Sequence, residues 1–190
     1  MNHRRLALLL PFFAGCGYNS IQTFDEQATA AQGQIEVQLQ RRADLVPSLV
    51  ATVKGLANQE LAVFGEVTRA RAGLLGAVQS KDPQQMANAN QALTGGLGRL
   101  LAVSEAYPQL KSDQGFLKLQ EELAGTENRI AVARTDYNTA VQQYNAYIRR
   151  VPAVVTAKAT GAKERTYYQV SGASARDVPA VDFAKPGAKP

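Results

Sequence analysis

The sequence predicts an all-α protein, an elongated antiparallel bundle of long helices with an irregular C-terminal tail, and three observations predict it. Alanine, leucine, glutamine and glutamate dominate a chain of 190 residues that has no tryptophan, and such residues give up little freedom on entering a helix. Apolar residues recur at alternating steps of three and four, the period of one helix face. Prolines 83, 108 and 152 stand where that periodicity starts or stops, as expected of a residue that cannot continue a helix.

The first 15 residues read as an export signal. Arg4 and Arg5, beside Asn2 and His3, supply positive charge, Leu6 to Phe13 are apolar, and small residues follow. Eight apolar residues containing Pro11 are too few to span a bilayer, which takes about 20 at about 1.5 Å of rise each. Phe13-Ala14-Gly15-Cys16 resembles a lipobox, with Phe13 where Leu is usual. Cys16 is the only cysteine of the chain, so it has no intramolecular disulfide partner. Acylation accounts for both its number and its position. The expected attachment is a diacylglycerol and an N-acyl chain on Cys16, each buried methylene contributing about 0.8 kcal/mol. Gly17 rather than Asp follows the cysteine. By resemblance to envelope-sorted lipoproteins this favours an outer membrane, facing the periplasm, in a two-membrane host, with the inner membrane or a one-membrane surface as alternatives.

Residues 16–160 are expected to form the bundle. Ile21, Phe24, Ala28, Ala31, Ile35 and Leu39 make one apolar stripe. Val46, Leu49, Val53, Leu56, Val63, Val67, Ala70 and Leu74 make another, with Glu60 as the polar interruption. Pro47 lies between them and is expected to kink or restart the helix, with Asp44 as a cap of the restarted one. Either one bent helix or two nearly collinear ones result. Asp82 and Pro83 open the next helix, which runs to about Tyr107-Pro108. Gly95, Gly96 and Gly98 within it suggest close approach of a neighbouring helix, each costing about 1 kcal/mol relative to Ala. Ser112 and Asp113 open the longest pattern, a coiled-coil-like repeat in which Phe116, Leu123, Ile130, Tyr137 and Tyr144 fall seven apart. It should reach Arg149 or Arg150 before Pro152, about 35 residues or about 52 Å. A short helix over 153–160 follows. Residues 161–190, rich in Gly, Pro, Ala and Lys, form the tail, loose except for an extended piece at 166–170. Its Tyr167, Tyr168 and Phe183 are candidates to dock on the bundle or on a partner.

The string Ile35-Glu36-Val37-Gln38-Leu39-Gln40-Arg41-Arg42-Ala43-Asp44-Leu45-Val46-Pro47-Ser48-Leu49-Val50-Ala51-Thr52-Val53-Lys54-Gly55 resembles the signature of the LemA family. Val67-Thr68-Arg69-Ala70-Arg71 and Ala102 to Lys111 extend the likeness, as do Phe116 to Leu123, Thr126-Glu127, Arg134, Tyr137-Asn138 and Tyr144-Asn145. It covers about residues 18–152. Gln32, Ser48 and Val151 depart from the usual aromatic, Asn and Phe, and a lipobox replaces the transmembrane N-terminus that many members resemble. The resemblance implies a long-helix bundle on the outer side of a bacterial membrane, no established enzymatic activity and no catalytic residues. It also implies a role in envelope organisation, one branch being associated with membrane compartments.

Residue chemistry points the same way. The one histidine, His3, leaves with the signal, so the mature chain lacks an imidazole base or a free thiol, and with them the preferred ligands of zinc and copper. No catalytic, cofactor-binding or metal residue is assigned, and no small-molecule substrate is identified. Removing residues 1–15 leaves 19 of the 21 basic residues against 16 acidic ones, scattered, which does not support nucleic-acid binding. Glu60, Glu66, Glu105 and Glu127 are the carboxylates that a hydrolase, the alternative function, would have to pair. Arg41, Arg42, Asp44, Lys54, Glu60 and Arg71 form a candidate interaction patch. Arg41 and Asp44 are spaced to pair on one face, and Glu60 needs a cation if buried. The patch reads either as an ion-pair network fixing helix register or as a recognition surface. The expected function is that of a non-enzymatic, lipid-anchored envelope protein whose bundle binds partner proteins or organises membrane-associated complexes. A peripheral lipid-surface protein using a basic tail is the remaining alternative.

Overall fold

The computed structural model describes the backbone of residues 10–56 and 60–170 and the side chains of 17–55 and 60–170. Residues 1–9, the Cys16 side chain and Phe183 lie outside the described residues. The elements are α1 (Leu10–Leu56), α2 (Leu61–Ser80), α3 (Pro83–Glu105), α4 (Pro108–Ser112), α5 (Gln114–Ile148) and α6 (Ala153–Thr160). Among the described residues there is no strand.

The frame is the antiparallel pair of α1 and α5, the most extensive helix contact in the molecule. At 47 and 35 residues they are about 70 and 52 Å long. All five of the residues spaced by sevens, Phe116, Leu123, Ile130, Tyr137 and Tyr144, are buried in this contact region, as are Ile21, Ala28, Ile35 and Leu39 of α1. The α2–α3 hairpin is shorter and packs over the C-terminal part of α1: Arg71 meets Ala43 and Gln32 donates to the Lys81 carbonyl at 2.9 Å. Beyond its reach α6 and the chain that follows cover α1 and α5, building a second small core from Ile21, Tyr144, Ile148 and Ala157.

Helix starts follow the sequence. The Asp82 carboxylate accepts from the backbone N–H of Gln84 and Gln85, at 2.8 and 3.3 Å. Those bonds, Gln85 first, hold its carboxyl below the usual range. Asp113 accepts from Phe116 N–H at 2.7 Å. At the end of α5, Arg149 Nε donates to the Asn145 carbonyl at 3.0 Å. Gly161, at φ +72°, closes α6 in the left-handed conformation that a glycine adopts without strain.

Two expectations are corrected. Of the two alternatives at Pro47, the structure has the single helix: α1 runs through the proline, and what is corrected is the second stripe, because α1 ends at Leu56 rather than continuing towards Leu74. The stripe Val63 to Leu74 therefore belongs to a separate helix folded back on α1, and Asp44 is no cap. The sequence sign of the true break is weak: Gly55, a poor helix former, one turn before Glu60 interrupts the stripe. Of the three glycines of α3, a Cβ at Gly95 or Gly98 would meet nothing within 4 Å, whereas one at Gly96 would touch Val67 Cγ2 at 3.5 Å, ordinary van der Waals contact. Close helix approach does not explain the other two.

Candidate functional site

The polar centre of the bundle is Arg42. It projects inward from α1 with 4% of its surface exposed, donates from Nη1 to Asn90 Oδ1 of α3 at 2.7 Å and pairs with Glu127 of α5. Three helices are joined at one guanidinium. Burial lowers the pKa of Arg42 and the Glu127 charge opposes the shift. The Nε of Arg42 is buried without a partner among the described residues. The signal for this centre lay in the sequence as polar intruders in apolar stripes. Ile35, Leu39, Arg42, Val46, Leu49 and Val53 step by four and three, as do Met86, Asn90, Leu93, Leu97 and Leu100. A buried charge needs a partner, and the two intruders meet.

Arg71 solves a different problem. Proline has no N–H, so Pro47 cannot donate to the carbonyl four residues earlier, that of Ala43. Arg71 Nε donates to this carbonyl instead, at 2.8 Å, and Ala43 is fully buried. The proline thus stays inside a continuous helix because a side chain of α2 replaces its missing bond.

The remaining members of the candidate patch do not converge. Arg41 and Lys54 are exposed and make no ion pair among the described residues. Asp44 accepts from Gln40 Nε2 at 2.9 Å, so the expected Arg41–Asp44 pair is not formed. Glu60 is half-buried ahead of α2, makes no side-chain cap and has no cationic partner among the described residues. The four carboxylates also stay apart: Glu66 pairs with Arg99, Glu105 with Lys111 and Glu127 with Arg42. Among the described residues no three His, Cys, Asp or Glu side chains gather in a metal-binding group.

The first part of the expected tail, residues 162–170, is a strap that lies in the α1–α5 groove. Asn145 accepts from Arg165 N–H at 2.8 Å and donates to Arg165 C=O at 2.9 Å. One heptad earlier Asn138 does the same with Tyr168, at 2.9 and 3.2 Å. Seven helical residues rise about 10.5 Å and three extended residues about 10 Å, so the two amides match the strap's own repeat. Tyr137 Oη donates to the Thr166 carbonyl at 2.8 Å. Arg165 donates to Asp25 Oδ1 at 2.8 Å and to Thr29 Oγ1 at 2.6 Å, and its guanidinium lies 5.8 Å from the centre of the Tyr144 ring. The bond to Asp25 raises the Arg165 pKa, and burial raises those of Tyr137 and Tyr144. The tyrosines are core residues, and Tyr147 packs its ring against Phe24 with centres 5.1 Å apart.

Tyr168 ends the strap in the main core, 3% exposed, its hydroxyl buried without a partner among the described residues. Burial pushes its pKa up to about 12. Beside it Asn90, Gln91, Thr94, Glu127 and Arg134 line a cleft of about 250 Å³. These side chains can hold a polar group by hydrogen bonds. They supply no nucleophile beside a base, since Glu127 is tied to Arg42. A second groove of about 360 Å³ runs between α1 and α5 on another face, lined by Ala31, Gln34, Gln38, Val132 and Asp136, and bridged by Arg129 Nε donating to Gln38 Oε1 at 3.0 Å.

Among the described residues no helix is long and apolar enough to cross a membrane. Comparison with known proteins finds similarity to Magnetosome protein MamQ 2 and Magnetosome protein MamQ 1 of Paramagnetospirillum magneticum, each 32% identical over 175 residues. Magnetosome protein MamQ of Magnetospirillum gryphiswaldense is 30% identical over 174 residues. Each alignment covers 80% of this chain and 64% of the relative, so the chain spans less than two thirds of the length of the curated relatives it matches. The family model for the LemA family matches residues 31–183. The strap lies within that match, as do Arg42, Asn90, Glu127 and the asparagine clamps. The chain belongs to the LemA family.

Proposed function

We infer that this LemA-family protein is a non-enzymatic envelope protein, held to a membrane by acyl chains on Cys16, whose bundle acts by touching other proteins. The observation that carries the non-enzymatic part is the fate of the buried polar side chains. Arg42, Asn90 and Asn145 each fasten one element to another. Ser104 and Thr126 return their hydroxyls to carbonyls of their own helices. These are the five buried polar or charged residues among those described; neither they nor Tyr168, whose buried hydroxyl has no partner among the described residues, set a nucleophile beside a base. Relatives named as magnetosome proteins and the lipobox at Phe13 to Cys16 support work at a membrane. Gly17 after the cysteine supports the outer membrane in a two-membrane host.

Cells fed an alkyne fatty acid test the anchor. The wild-type chain is expected to be labelled and to sediment with membranes, and Cys16→Ser to be unlabelled and released. An unlabelled wild-type protein overturns the reading.

A further inference from the structure

At the end of the bundle where α5 turns into α6, the chain leaves apolar side chains in solvent. Val151 is 86% exposed and Val155 69% exposed, and Tyr18 is 46% exposed at the same end. Val155 stands on the exposed side of α6 and Val151 in the turn that precedes it. Ala153 and Ala157 are buried on the opposite side of α6, where a Cβ at Gly17 would lie 3.6 Å from Ala153. This apolar tip therefore sits beside the residue that follows Cys16.

Its surroundings are basic. Residues 149–165 carry five cations and one carboxylate, Glu164, and that carboxylate lies 3.7 Å from Arg149. Arg150, Lys158 and Lys163 are exposed and make no ion pair among the described residues. Exposed valines with unpaired cations beside them in the chain, Arg150 next to Val151 and Lys158 three residues from Val155, combine the two attractions of an interfacial segment, burial of apolar surface at the acyl boundary and Coulomb attraction to anionic headgroups.

We propose that the α5–α6 tip is a membrane foot: Val151, Val155 and Tyr18 enter the headgroup region of an anionic bilayer, Arg150 and Lys158 contact lipid phosphates, and the bundle is thereby held upright on its anchor. This rests on the reading that the chain is held to a membrane at Cys16. A flexible acyl anchor alone fixes the distance from the membrane but not the orientation. The foot supplies a second contact, and two contacts with one surface restrict the tilt of the rod between them.

The chain has no tryptophan, so one introduced at the tip reports alone. The chain from residue 16 onward, carrying Val155→Trp, is coupled through the Cys16 thiol to a maleimide-headgroup lipid in vesicles. The tether makes the test independent of whether cells acylate Cys16; failure of the fatty-acid labelling overturns the anchor, and failure here overturns the foot. The expected result is a blue-shifted emission, quenched by brominated acyl chains, on mixed phosphatidylcholine–phosphatidylglycerol vesicles. The shift is expected to shrink on phosphatidylcholine alone and to be lost on adding Arg150→Glu and Lys158→Glu. Val132→Trp, halfway along the bundle, should keep a water-like emission. Unchanged far-UV helicity shows that each variant is folded, which is expected because Val155 and Val132 are exposed. A water-like emission from Val155→Trp overturns the proposal, as does an equal shift at Val132→Trp, which would mean a bundle lying flat. A shift indifferent to lipid charge overturns the assignment to anionic lipid.

Discussion

Tyr168 shows how one atom can be both legible and hidden. An aromatic in an otherwise polar tail marks it as a docking residue, but nothing in its neighbours tells whether its hydroxyl finds a partner. It does not, among the described residues. A buried hydroxyl without a partner lowers stability, so Tyr168→Phe is expected to raise the unfolding free energy near neutral pH, by about 1 kcal/mol. The same hydroxyl governs alkaline behaviour. Its pKa in the folded protein is raised from 10 to about 12, so the folded state keeps a proton that the unfolded chain releases. Stability is then complete below pH 10 and falls as pH rises from 10 towards 12, by about 2 to 3 kcal/mol in all. Denaturant titrations at pH 8 and pH 11 check both points: the Phe variant should be the more stable at pH 8 and should lose less at pH 11. A Phe variant weakened at pH 8 would show that the hydroxyl has a partner. Arg42 was legible in a different way. Its position in the Ile35 to Val53 stripe marked it as buried, while its neighbour Arg41, one residue away and so 100° around the helix, is exposed. The two therefore do not belong to one patch.

Elements divide in the same manner. The lengths and starts of α3 and α5 are written in local chemistry: an Asp at each N-cap, a proline at the first position of α3, and Pro152 beyond the end of α5. The course of α1 is not, because its continuity at Pro47 depends on a group 24 residues further along the chain that folding brings to Ala43. A double-mutant cycle separates this account from a proline that is merely tolerated. Arg71→Met should cost about 1 to 2 kcal/mol by leaving the buried Ala43 carbonyl unpaired. In a Pro47→Ala background the residue 47 N–H can serve that carbonyl, and the cost should shrink by at least half. Equal costs in the two backgrounds would show that Arg71 acts through packing alone. The strap is the second element whose placement is non-local. Asn138 and Asn145 announce themselves as polar residues beside the tyrosines of a heptad pattern, yet their partners are backbone groups, which carry no sequence signal. Residues 162–170 thus appear as tail in the sequence and as part of the bundle in the structure.

At the scale of the whole molecule, α1 and α5 form a rod covered at one end by the α2–α3 hairpin and at the other by α6 and the strap. Composition and periodicity were sufficient for the class and for the antiparallel arrangement, because an amphipathic helix must bury its stripe against another. They were not sufficient for which face remains open. One open face is the groove beside Gln38 and Asp136, in whose lining Val132 is 63% exposed. It lies between the two longest helices and is covered by neither the hairpin nor the strap. If the protein acts through what its membrane-held bundle touches, this groove is where a partner should be found. The most direct measurement places a photo-crosslinking amino acid at Val132, in the groove, or at Ala72, exposed on α2, and irradiates intact cells. The expected result is a discrete, reproducible adduct from position 132, absent from position 72 and lost when Cys16→Ser releases the chain from the membrane. Adducts that are absent from 132, or that survive unchanged in the Cys16→Ser protein, would contradict a function exercised by contact at the membrane.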